Sequence, residues 1–61
     1  MPNILEMRVM QKERLYDLLM LEKENAGTTV KGLTQQIRKA KVGMEKEDIA
    51  FVEKLVAEEN F

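Results

Sequence analysis

The chain contains no cysteine, histidine, serine or tryptophan, and only one proline and three glycines in 61 residues. Each absence removes a class of explanation. Without cysteine there is no disulfide, and without cysteine or histidine no ordinary zinc site, so the usual staples of a small scaffold are missing. The common nucleophile–base pairs of hydrolases and transferases cannot be assembled from what remains. Ten basic residues against eleven acidic ones leave a net charge of −1, which gives no global attraction to nucleic acid or anionic lipid. No apolar run is longer than Leu18 to Leu21, which falls far short of the ~20 residues that cross a bilayer. Glu6 and Arg8 interrupt the apolar start, so nothing resembles a secretory signal. The expectation is a cytoplasmic protein, not an enzyme, with no cofactor, no metal and no membrane association.

What the chain does have is helical pattern. Hydrophobic residues make up 44% and charged residues 34%, a balance that suits a folded helical chain better than a disordered one. From Asn3 to Asn25 there is neither Gly nor Pro. Asn3 is placed to cap this segment, with Glu6 in the capping-box position. Asn25-Ala26-Gly27 supplies its end. Three helices are expected, at about residues 4–25, 29–41 and 45–58, with Thr28 or Thr29 capping the second and Gly43 ending it. The fold class is all-α, a single domain over residues 1–61: one long N-terminal helix, then two shorter amphipathic ones, the bundle completed by self-association.

The first helix carries more apolar surface than its own chain needs. Its apolar residues spread round most of the circumference, leaving one polar stripe at Glu6, Glu13, Asp17 and Glu24. One seam with 3-4 spacing is Leu5, Val9, Lys12, Tyr16, Leu19; another is Ile4, Met7, Gln11, Arg14, Leu18, Leu21. A helix needs one such stripe to face its own core. The second implies another chain. The candidate interface is therefore Ile4, Leu5, Met7, Val9, Leu15, Tyr16, Leu18, Leu19 and Leu21, most simply in a homodimer with the long helices antiparallel or crossing.

The second helix carries a narrow apolar stripe, Val30, Leu33, Ile37 and Ala40. Gly32 falls inside its expected span, which predicts close approach of another backbone, so that Ala there would overpack. The third presents Ile49, Phe51, Val52, Leu55 and Val56 on one face, with Glu45, Glu47 and Asp48 complementing its N-terminal dipole. That acidic run lacks the loop of a calcium site, and the three isolated glycines form no phosphate loop.

Charge is segregated along the chain. Residues 26–43 carry Lys31, Arg38, Lys39 and Lys41 and no acid, whereas residues 44–61 carry six acids and two lysines. The simplest reading pairs the basic helix with acidic helical surface, in the same chain or across a dimer. The alternative is a nucleic-acid contact through the possible basic patch Lys31, Arg38, Lys39 and Lys41. Val42-Gly43-Met44, followed by Ile49, Val52 and Glu53, resembles the end of a helix-turn-helix motif. Two positions depart from it: Lys39 stands where that family packs a small residue, and its recognition helix would open Glu45-Lys46-Glu47-Asp48, which repels DNA. The function expected is that of a small regulatory or adaptor protein working through helix-mediated protein contact, with a nucleic-acid-associated regulator as the alternative.

Overall fold

The computed structural model describes residues 3–25 and 31–59, and among them the chain is all-helical. Helix α1 spans Ile4–Glu24, α2 Leu33–Lys41 and α3 Lys46–Glu58. α1 is continuous through Gln11–Arg14, because all four residues of that polar run are good helix formers. Asn3 caps it, its Oδ1 accepting the Glu6 N–H at 2.8 Å. Asn25 closes the other end twice, donating from its backbone N–H and from Nδ2 to the Leu21 carbonyl, at 3.1 and 2.8 Å.

The second helix is shorter than expected. It begins at Leu33, and Gly32 is its N-cap in the left-handed region at φ 79°. Gly32 is therefore not inside a helix, and a Cβ placed on it would meet nothing within 4 Å. The expected close approach at Gly32 is wrong. Its role is backbone conformation, which a residue with a Cβ adopts only with strain. The expected caps Thr28 and Thr29, together with Gly27 and Val30, lie outside the described residues. After Lys41 the chain turns through Val42 (φ −64°, ψ 128°) and Gly43 (φ 82°), closed by Met44 N–H to Lys41 C=O at 3.1 Å. This is a type II turn, with Gly at the position that requires positive φ.

Both short helices pack on α1 and barely touch each other. Arg8 meets Asp48, Lys12 lies over Phe51, and Lys23 reaches Val56. The contacts advance together, so α1 and α3 run in the same direction and α2 brings the chain back between them. A helix-turn-helix packs its two helices on each other, so this geometry differs from the one the sequence resembles.

Leu15 is fully buried at the centre, with Leu33, Ile37, Ala40, Val52 and Val56 around it. Tyr16, Leu18, Leu19, Met20, Met44 and Ile49 close the margins. This core is small. Truncating Leu15 to Ala would cost about 2–5 kcal/mol, a large share of what so short a chain has.

Candidate contact surface

The residues expected at an interface divide into three groups. Leu15 belongs to the chain's own core and is unavailable to a partner, a correction to the expectation. Tyr16, Leu18 and Leu19 are half-buried against that core. The remainder are exposed: Ile4 at 76%, Leu5 at 71%, and Met7, Val9 and Leu21 at 41–49%. Met10, which lies on neither expected seam, is exposed as well. The division follows from length. α3 begins at Lys46 beside Arg8, so among the described residues the first turn of α1 projects uncovered.

On α3 the expected apolar face is only half used. Val52 and Val56 are buried, but Phe51 and Leu55 stay exposed while Asp48 takes a place in the interior. Phe51 and Leu55 line a groove between α3 and α1, opposite Val9 and Tyr16, with Glu13 and Asp17 along its edge. Lys12 Nζ sits 5.6 Å from the centre of the Phe51 ring, a cation–π contact that covers part of the ring. A second depression, over Leu5, Glu6 and Met10, shares Val9 and Glu13 with this groove, so the apolar surface continues up α1.

Polar contacts hold α1 and α3 together at both ends of α3. Arg8 donates from Nε and Nη2 to the two Asp48 oxygens, each at 2.9 Å, and from Nη2 to Glu47 at 3.3 Å. Hydrogen bonding from Arg8 holds the Asp48 carboxyl below its ordinary range, against the opposing effect of burial. Tyr16 donates its hydroxyl to Glu59 at 3.1 Å, and that bond raises its pKa. Lys23 Nζ donates to the Val56 carbonyl at 2.7 Å and to the Glu59 carbonyl, satisfying backbone acceptors at the C-terminal end of α3. The Arg8–Asp48 pair was not foreseen, because helix N-terminal charge already accounted for Asp48. The available signal was its spacing: Asp48 lies four residues before Val52, on the same stripe.

Of the basic patch, Lys31, Arg38 and Lys39 are exposed, and none of them makes an ion pair among the described residues. Lys41 is half-buried and lies 3.9 Å from Glu53. Within the chain, then, the basic and acidic helices meet through this single wide pair among the described residues. No helix of the described residues is long and apolar enough to cross a membrane. No protein-family model matches the sequence, and comparison with curated proteins and with solved structures finds no match.

Proposed function

We propose that this protein is a small non-enzymatic regulator or adaptor that acts through helix-mediated protein contact, self-associating as a homodimer. The observation that carries the reading is the apolar surface of α1, where Ile4, Leu5, Met7, Val9 and Met10 are all exposed within two turns. Singly exposed apolar residues are ordinary; a contiguous set joined to the Phe51–Leu55 groove marks a contact site. A core of six buried apolar residues also leaves a 61-residue chain near the lower limit of independent stability, which association relieves. The test is the melting temperature across a hundredfold range of protein concentration. Coupled association makes it rise with concentration, whereas a concentration-independent value counts against the reading.

A second reading rests on Lys31, Arg38 and Lys39, which are exposed and lack an acidic partner among the described residues. Such a surface suits phosphate. A DNA mobility shift that weakens steeply with salt and is lost on reversal of Arg38 and Lys39 would favour it.

A further inference from the structure

The exposed side of α1 carries a second pattern, which meets the groove only at Asp17 on its edge. Met7, Met10, Arg14, Asp17 and Leu21 follow a 3-4-3-4 spacing, and all five are exposed. That is the spacing with which one helix packs along another, and neither α2 nor α3 covers it. Met7, Met10 and Arg14 with Gln11 line a shallow apolar depression there. Arg14 and Asp17 sit in the middle of the seam, and neither makes an ion pair among the described residues. They are opposite charges one helical turn apart, with apolar residues beyond them on both sides.

We infer that this seam pairs with the same seam of a second copy, antiparallel, in the register that sets Arg14 against the second copy's Asp17. The inference rests on the self-association proposed above and specifies its geometry. A two-fold axis perpendicular to the helices makes the contact self-complementary. With that axis between positions 15 and 16, Met10 packs on the second copy's Leu21 and Arg14 meets its Asp17. Both contacts occur twice. Moving the register one heptad toward the N-terminus sets Arg14 against Met10 and Asp17 against Met7, so both charges lose their partner. Moving it one heptad the other way presses Asp17 against Leu21, exchanges the Asp17 partner of Arg14 for Glu24, and takes Met10 away from Leu21. One neighbouring register therefore sets both charges against methionine, and the other gives up the Met10–Leu21 contact and sets Asp17 against leucine.

The experiment is a charge swap read by sedimentation equilibrium. Arg14→Asp and Asp17→Arg should each weaken dimerisation about tenfold, since each turns two attractions into two repulsions. The Arg14→Asp/Asp17→Arg double variant should recover to within about threefold of the original. Both residues are exposed, so helicity by circular dichroism should stay unchanged and separate this effect from misfolding. Because the chain has no cysteine, Met10→Cys and Leu21→Cys give an independent readout. Oxidising a mixture of the two should yield mainly the mixed disulfide. A dimer indifferent to the swaps, or cysteines that link mainly to themselves, overturns the register while self-association stands. An unaltered chain that is monomeric throughout overturns both.

Discussion

Arg8 grips Asp48 in a fork of two 2.9 Å hydrogen bonds, joining the start of α1 to the first turn of α3 across forty residues of sequence. Paired N–H donors facing both carboxylate oxygens fix orientation as well as distance. This pair sets how α3 lies along α1, and hence where Phe51 and Leu55 emerge.

Removing the pair should therefore loosen α3. Arg8→Ala leaves the Asp48 carboxylate buried without its partner, and should lower the melting temperature by several degrees. Asp48→Asn should do the same more mildly, keeping one acceptor for Arg8.

The same pair predicts a pH response. Hydrogen bonding from Arg8 depresses the Asp48 pKa below its ordinary 3.8. A depressed folded value means that its contribution is complete above that ordinary value and is lost as pH falls through the lower, folded one. Thermal melts should show wild type ahead of Asp48→Asn at neutral pH and the gap closing below about pH 4. A constant gap would mean that the variant's effect is packing, not charge.

Gly32 and Gly43 should resist replacement for conformational reasons alone. Both have positive φ and open space where a Cβ would stand. Ala at either should cost about 1–2 kcal/mol and Asn less. A D-alanine, whose preferred backbone matches, should instead stabilise by about 0.4–1 kcal/mol through the unfolded state. Chemical synthesis of the chain and thermal melts would decide this, and destabilisation by D-alanine would point to crowding after all.

Lys23→Met should fray the end of α3, because its ammonium serves the Val56 and Glu59 carbonyls. Hydrogen exchange should quicken at the amides of the last turn of α3, with the Leu15 amide unaffected.

Much of this architecture was legible from residues alone. The Asn3 cap, the unbroken run to Asn25 and the glycine after Lys41 mark three helices by local chemistry, and Leu33, Ile37 and Ala40 fall on the buried stripe as their spacing requires. The pattern could not say which apolar face its own chain covers. Leu15 and Leu21 look alike in a helical repeat, yet one is buried and the other exposed, because α2 and α3 are too short to surround α1. The Arg8–Asp48 pair was hidden for a related reason: a charge at a helix start has a sufficient local explanation, and its partner lies forty residues away. Gly32 was misplaced because Thr28 and Thr29 offer an earlier cap, whereas the positive φ at residue 32 starts the helix after it.

That the uncovered surface of α1 meets another helix is decided by sedimentation equilibrium of the unaltered chain alongside Met7→Glu and Met10→Glu. Both residues are exposed, so neither change should disturb the monomer fold. The unaltered chain should approach twice its 7.1 kDa mass as concentration rises into the micromolar range, while the variants stay nearer the monomer mass with helicity intact. A single 7.1 kDa species at every concentration would contradict it.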